Sequence, residues 1–255
     1  MRVEGKCVIV TGAGSGFGRA MALTLAAEGA KVFAVDRDEG TAAQVATEIC
    51  NNGQKAVSFS CDVTDASRVK QMVANCISEL GGLDIMINNA GYTHASQPMD
   101  QVSEDEYDRV MNVNVKSIYL STLEVLPHFR KQGSGVILNT ASTAGLRPRP
   151  GMSWYNASKG AVITLTKSMA VELAPEQIRV NCVCPVAANT PMLGDFIGDR
   201  SKNTEEVRKA MGADIPLGRL TEAQDVANAA LYLVSPEAEF ITGVALEIDG
   251  GRCIS

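Results

Sequence analysis

The sequence has little histidine and no block of basic residues. Its 255 residues include two histidines, His94 and His128, and the formal net charge is -6 at pH 7. Two histidines leave little for a His-rich metal site, so we expect no bound metal. A nucleic-acid-binding protein normally carries a basic patch or stripe, and its absence here excludes nucleic acid as a partner.

Long hydrophobic runs and disulfide patterns are also missing. No apolar stretch approaches the roughly 20 residues of a membrane-spanning helix, and the first residues, Met1 to Lys6, lack the apolar core of a signal peptide. The seven cysteines include no Cys-x-x-Cys pair, and their odd number argues against a complete disulfide framework. We therefore expect a cytoplasmic protein with reduced thiols and no membrane partner.

Short apolar runs alternate with longer helical patterns along the whole chain. The runs are Cys7–Thr11, Lys31–Asp36, Ala56–Cys61, Asp84–Asn88, Val136–Thr140, Arg179–Cys184 and Val244–Ile248. Because they are apolar throughout, and not at every second position, they predict a buried parallel sheet with helices on both faces, an α/β fold. No linker or repeat divides the chain, so we expect one domain over residues 1–255. Residues 190–214 are the predicted insertion and substrate lid.

A glycine-rich turn, residues 11–18, ends the first strand and begins a helix. Glycines let the backbone turn tightly and approach a pyrophosphate, and the positive end of the helix favours the anion. The spacing is G-x-x-x-G-x-G and not the G-x-G-x-x-G of the dinucleotide fingerprint, and a purely structural turn would also use glycine. The candidate contacts are Gly12, Ser15, Gly16, Phe17 and Gly18.

The second strand ends in an acidic residue, Asp36. A carboxylate at this position holds the ribose hydroxyls of adenosine and repels a 2′-phosphate, so it predicts NAD as the cofactor. Arg37 could instead support a phosphate. A structural role for Asp36, as the N-cap of the helix that follows from Glu39, is compatible with the same sequence.

Tyr155 and Lys159 are four residues apart in a predicted helix and therefore share one face. A nearby cation favours the phenolate, whereas burial raises the pKa of a phenol. Moving that pKa from about 10 to near 7 takes about 4 kcal/mol, so a second positive charge is expected nearby. Ser142, after the fifth strand, adds a hydroxyl. Because no histidine accompanies it as a base, a hydrolase of the serine type is poorly supported.

These residues together resemble the short-chain dehydrogenase/reductase family over essentially the whole chain. The matching motifs are Thr11-Gly12-x-x-x-Gly16-x-Gly18, Asn88-Asn89-Ala90-Gly91, Asn114, Ser142 and Tyr155-x-x-x-Lys159. The resemblance implies a Rossmann-like doubly wound domain with a seven-stranded parallel sheet, and a homotetramer or homodimer. It also implies that Tyr155 is the general acid/base, assisted by Lys159, Ser142 and Asn114.

The same resemblance assigns the cofactor contacts. Asp62 and Val63 would contact the adenine. Asn89 would contact a ribose, with Ala90 and Gly91 beside it. The residues that would lie at the nicotinamide are Pro185, Ala188 and Thr190, together with Tyr155 and Lys159. The chain departs from the family at Val186, where glycine is usual. Valine restricts the backbone, so either this turn needs no positive φ or the path beside the nicotinamide differs.

Three functions follow as hypotheses. The first is NAD-dependent hydride transfer between nicotinamide and a secondary alcohol or ketone, a small-molecule substrate. The alternative is a 3-oxoacyl-thioester reductase, which Asp36 disfavours because such reductases usually use NADPH. The third is a dinucleotide-sensing protein without turnover. Apolar residues such as Met152 predict a hydrophobic substrate, and an inward-facing Arg147 or Arg149 could hold a carboxylate or sulfonate.

Overall fold

The computed structural model describes residues 1–190, 192–197 and 204–255. The strands of this part are β1 (Cys7–Thr11), β2 (Lys31–Asp36), β3 (Ala56–Ser60), β4 (Ile85–Asn88), β5 (Gly135–Thr140), β6 (Ile178–Pro185) and β7 (Ala245–Ile248). The helices are α1 (Gly16–Ala27), α2 (Glu39–Asn51), α3 (Ala66–Leu80), α4 (Glu104–Met111), α5 (Ser117–Gln132), α6 (Ser153–Leu173), α7 (Leu193–Ile197), α8 (Glu205–Ala213) and α9 (Ala223–Val234).

All the strands form one parallel sheet in the order β3-β2-β1-β4-β5-β6-β7. The predicted α/β fold with a seven-stranded parallel sheet is thus confirmed, and the predicted strand boundaries agree with the observed ones to within one or two residues. The order reverses between β1 and β4, because β2 and β3 extend to one side of β1 and the remaining strands to the other. Such a reversal opens a crevice at the carboxyl ends of the strands.

The two faces of the sheet carry separate hydrophobic layers. Along β1, Ile9 faces one layer with residues of α3, α5 and α6, and its neighbours Val8 and Val10 face the other with residues of α1, α2 and α9. Successive side chains of a strand point to opposite faces, so an apolar run is what a sheet covered on both sides requires. The expected helices on both faces are confirmed.

A continuous helical segment joins α4 to α5 through a π-helical turn, Asn112–Lys116. The whole segment spans 104–132. None of the helices described here is both long and apolar enough to cross a membrane.

The predicted lid at 190–214 lies partly outside the described residues, which omit 191 and 198–203. Its described part includes α7 and α8. A small cluster connects this segment to the turn after β6 through Val186, Leu193, Ile215 and Leu220, all buried. Among the described non-glycine residues only Gln177 has a positive φ. The turn at Val186 therefore needs no positive φ, and the valine side chain instead completes this cluster.

Candidate active site

A cleft of about 1260 Å³ lies at the carboxyl ends of the strands. It exceeds the roughly 300–1,000 Å³ typical of a site for one small molecule, so it has room for a cofactor and a substrate. The predicted site residues that line it are Gly12, Ser15, Gly16, Phe17, Asp36, Arg37, Asp62, Val63, Asn89, Ala90, Gly91, Ser142, Tyr155, Lys159, Pro185, Ala188 and Thr190. Gly18 and Asn114 do not line the cleft and lie behind its wall.

The glycine-rich turn has the features that a pyrophosphate requires. Gly12 and Gly16 have φ values of 65° and 51°, in the left-handed region that favours glycine. Ser15 is the N-cap of α1, but its side chain makes no cap hydrogen bond, and the first turn of α1 contains no acidic residue. The first amide N–H groups of a helix have no acceptor within it, so they and the Ser15 hydroxyl can meet an anion.

Gly18 has a packing role. A Cβ atom at this position would lie 2.0 Å from the carbonyl oxygen of Gly12 and 2.6 Å from Nδ2 of Asn89. No side chain fits there, and the absence of one lets α1 approach the turn closely. Gly18 therefore shapes the phosphate turn from behind and does not face the cleft.

Asp36 faces the cleft and is fixed by two main-chain donors. Its carboxylate accepts hydrogen bonds from Gly14 N (3.0 Å) and Asp38 N (3.1 Å). The N-cap of α2 is Asp38, whose side chain accepts from Thr41 N at 3.0 Å. The alternative role of Asp36 as the N-cap is thus wrong, because the helix begins two residues later than that role requires.

Asn89 connects the ends of three strands. Its Nδ2 donates to Thr11 O at 2.9 Å, and its Oδ1 accepts from the Thr140 hydroxyl at 3.3 Å. The Thr11 hydroxyl in turn accepts from the main-chain N–H groups of Asn89 and Ala90. The amide of Asn89 is therefore occupied in holding β1, β4 and β5 together, which keeps the floor of the cleft rigid.

Ser142, Tyr155 and Lys159 are brought together on one wall of the cleft. The Ser142 hydroxyl donates to Pro185 O at 3.3 Å and accepts from Ala144 N at 3.1 Å. Lys159 Nζ donates to Thr140 O at 2.7 Å. The hydroxyl, the phenol and the ammonium are all buried, which is the arrangement needed to move a proton away from bulk water.

Burial dominates the pKa values of the pair on α6. It raises the pKa of Tyr155 to about 12, against a hydrogen bond with Ser142 and the positive charge of Arg149, both of which lower it. Burial also lowers the pKa of Lys159 to about 8. The sequence spacing led us to expect that Lys159 lowers the phenol's pKa, but among the described residues the cation that lowers it is Arg149.

A close main-chain contact sets the spacing of these groups. A Cβ atom on Gly145 would lie 2.6 Å from Gly160 N and 2.7 Å from the carbonyl carbon of Lys159. The turn that follows Ser142 therefore packs directly on the backbone of α6. Because no side chain intervenes, the position of Ser142 relative to Tyr155 is tightly defined.

Asn114 is 2% exposed and acts on the loop after β4. Its Oδ1 accepts from Tyr92 N at 2.8 Å, and its Nδ2 donates to Tyr92 O and to the Ser158 hydroxyl, both at 2.9 Å. It thereby joins the π-helical turn to α6, one residue from Lys159. π-Helical turns are often found at functional sites.

Several cleft residues could not be identified from the sequence. Asn156 lines the cleft beside Tyr155, and α4 contributes Asp105, Asp108 and Arg109. The polar Asn156 within the Tyr155-x-x-x-Lys159 motif is a signal that could have been used. Nothing in the pattern of α4 shows that it lies against the cleft.

Comparisons with known proteins agree with this geometry. A family model described as Enoyl-(Acyl carrier protein) reductase matches residues 12–252. The 4-formylbenzenesulfonate dehydrogenase of Comamonas testosteroni is 46% identical over the full length of both chains. A 3-oxoacyl-(acyl-carrier-protein) reductase of Thermotoga maritima is 37% identical, again over both full lengths. The crystal structure of a 3-ketoacyl-(acyl-carrier-protein) reductase from Brucella melitensis, complexed with NADH, has a TM-score of 0.92 and 45% identity, covering 98% of this chain and 99% of that one.

Proposed function

The chain belongs to the short-chain dehydrogenase/reductase family, and we propose that its site transfers hydride between NAD and a secondary alcohol or the corresponding ketone. As a member of this family it is an oxidoreductase that uses a nicotinamide cofactor on CH–OH groups. The observation that carries the proposal is the meeting of Ser142, Tyr155 and Lys159 on one wall of the cleft.

The chemistry divides between the cofactor and the chain. A bound nicotinamide would supply the acceptor for hydride from the carbinol carbon, or the donor of hydride to the carbonyl carbon. The Ser142 hydroxyl orients the substrate oxygen by a hydrogen bond, and the Tyr155 phenolate accepts the alcohol proton, or the phenol donates it in reduction. Lys159 remains fixed on Thr140 O and binds the nicotinamide ribose. Burial of the three groups keeps the proton from exchanging with bulk water.

The proposed cofactor contacts run along the cleft from the glycine-rich turn. The amides of Ser15, Gly16 and Phe17 suit the pyrophosphate, and Asp36 suits the ribose of adenosine. The carboxylate of Asp36 supports NAD over NADP, although Arg37 lies beside it. The remaining proposed contacts are Asp62 and Val63 at adenine, Asn89 with Ala90 and Gly91 at a ribose, and Pro185, Ala188 and Thr190 at the nicotinamide.

A 3-oxoacyl-thioester reductase is the second candidate. The relatives from Thermotoga maritima and Brucella melitensis carry names of this activity. The apolar Met152 and Phe196 on the cleft wall do not favour this candidate, because they suit the compact hydrophobic substrate of the first candidate equally well. A dinucleotide sensor without turnover is the weakest candidate, because a sensor has no need of the buried proton-handling groups.

We further propose that the chain forms one domain and assembles as a homotetramer or homodimer in the cytoplasm. Exposed apolar side chains on the two long helices, Tyr119 and Leu123 of α5 and Val171 of α6, support an assembly. The seven free thiols support a reducing compartment. Light scattering on the purified protein measures the assembly directly.

In the insertion at 190–214, Met192 and Phe196 line the cleft, which supports a contact with substrate.

The test of function is turnover by the purified protein. NAD or NADP is supplied with a panel of secondary alcohols, hydroxy acids and 3-hydroxyacyl thioesters, and reduced nicotinamide is followed by absorbance. We expect turnover of alcohols with NAD, and its loss in Tyr155→Phe with NADH binding retained. Preferential turnover of thioesters with NADPH would support the second candidate. Full activity of Tyr155→Phe would refute the assignment of the phenol.

A further inference from the structure

Arg149 is a cation in the cleft and has no ionic partner among the described residues. It lies in the loop between the Ser142 turn and α6, is partly buried, and lines the cleft near Tyr155. Within the described part of the chain no carboxylate forms an ion pair with it, whereas other arginines, such as Arg19 and Arg130, have such pairs. A partly buried charge without a partner loses solvation that nothing replaces.

The charges around Arg149 favour an incoming anion. Burial lowers the pKa of Arg149, and repulsion from Arg252 and Arg147 lowers it further. Attraction from Asp214 opposes these effects, but Asp214 forms no ion pair with Arg149. Arg147 and Arg252 do not line the cleft, but their charges still repel that of Arg149. An anion bound at Arg149 would offset this repulsion.

The loop fixes which arginine faces inward. The Asn156 side chain on α6 donates from Nδ2 to Arg149 O at 2.8 Å, which anchors this part of the loop beside Tyr155. The neighbouring Arg147 is exposed, does not line the cleft, and donates from Nη1 to the carbonyl oxygen of Arg252. The side chains of the two arginines therefore point in different directions, although the residues are only two positions apart.

An apolar surface lies beside the cation. Ala144, Met152, Tyr155 and Phe196 form one cluster, in which the rings of Tyr155 and Phe196 meet edge to face with centroids 5.2 Å apart. Such a surface suits the flat apolar body of a ring. A guanidinium at its edge suits a carboxylate or sulfonate, which it can bind with two parallel hydrogen bonds.

We propose that Arg149 binds a carboxylate or sulfonate carried by the substrate, so that this chain acts on ring-containing alcohols or carbonyls with an anionic substituent. The inference rests on the proposed function, since it places the reacting oxygen between Ser142 and Tyr155. Arg149 is then the residue that selects the substrate class, and the apolar cluster accommodates the ring.

Binding tests this assignment without requiring turnover. Calorimetry on the NADH-loaded protein compares 4-methylbenzenesulfonate with its neutral counterpart, methyl 4-methylphenyl sulfone. A charged hydrogen bond to Arg149 predicts that the anion binds about ten- to a hundredfold more tightly. Arg149→Met should lose this preference, Arg149→Lys should keep part of it, and the matched control Arg147→Met should keep it in full. Equal binding of the two probes by the wild type, or a preference that survives in Arg149→Met, overturns the proposal.

Kinetics separate substrate recognition from an effect on the phenol. The ratio of kcat/KM for reduction of 4-acetylbenzoate to that for reduction of methyl 4-acetylbenzoate should fall at least tenfold in Arg149→Met, chiefly through KM. An equal fall in kcat/KM for both substrates would leave the ratio unchanged. It would show that Arg149 acts through the pKa of Tyr155, and would overturn the proposal. If no carbonyl compound is reduced while the binding preference holds, the proposed function fails and the anion site stands.

Discussion

Lys159 Nζ donates a hydrogen bond of 2.7 Å to the main-chain oxygen of Thr140, the last residue of β5. The ammonium group is buried, and this contact joins α6 to the strand that leads to Ser142. Burial has an energetic consequence, since it lowers the pKa of Lys159 from 10.5 to about 8. The folded protein therefore releases this proton at a lower pH than the unfolded chain does.

Lys159→Met should change how stability depends on pH. Between pH 8 and 10.5 the unfolded chain still holds the proton that the folded protein has lost. The free energy of unfolding of the wild type therefore increases by about 3 kcal/mol as the pH rises across this window. The variant lacks this contribution. The free energy of unfolding of the wild type minus that of the variant should therefore increase from pH 8 to 10.5. Urea unfolding at several pH values measures it, and parallel pH profiles would contradict the pKa assignment.

Asp36→Asn should narrow the preference for NAD over NADP. The amide keeps an oxygen that can accept from Gly14 N, so the turn should remain folded, while the charge that repels a 2′-phosphate is lost. We expect the ratio of kcat/KM for NAD to that for NADP to fall about tenfold. A matched control is Asp38→Ser, which removes a nearby charge and leaves a residue suited to the N-cap. A wild type that already prefers NADP would make our interpretation of Asp36 wrong.

Asn114→Ala should destabilise the fold more than Ser158→Ala. The first change leaves the main-chain N–H and C=O groups of Tyr92 without their partner, and buried groups without partners cost about 1–3 kcal/mol each. The second removes the partner of one Asn114 hydrogen bond and the bond from the Ser158 hydroxyl to Tyr155 O, and it keeps both bonds to Tyr92. We expect losses of about 3 and about 1 kcal/mol in denaturant unfolding. Equal losses would show that the contact with Ser158, and not the loop at Tyr92, is what Asn114 maintains.

Gly145→Ala should impair both stability and turnover. The new methyl group would meet the backbone of α6, which cannot move aside as a flexible side chain would. Overpacking of this kind typically costs about 1–3 kcal/mol, and displacement of Ser142 from Tyr155 should lower kcat at least tenfold. Gly82→Ala is the control, because the nearest atom that its Cβ would meet beyond the adjacent residues is Cys7 Sγ at 3.9 Å, an ordinary van der Waals contact. If both variants behave alike, the contact of Gly145 with α6 does not define the site.

The fold could be predicted from the sequence because each strand is a continuous apolar run, and the residues at the strand ends then follow from the topology. Gly12 and Ser142 were identified in this way, and Tyr155 was identified by its helical spacing from Lys159. The cleft contains all three. The direction of the Tyr155 pKa was not predicted, because it depends on how deeply α6 is buried. Whether the Arg149 side chain points into the cleft could not be predicted either, because contacts between residues far apart in the sequence set its orientation, such as that between Arg147 and Arg252.

The contact of Gly145 with Gly160 and Lys159 is made between main chains, so it does not depend on the side chains nearby. The residues between these two anchors, 146–152, can therefore vary without shifting Ser142 relative to Tyr155. Over evolutionary time, new substrate preferences can arise in this loop while the proton-transfer geometry is inherited unchanged. For the same reason, a library randomised at Arg149 and Met152 is a sound starting point for redirecting the enzyme.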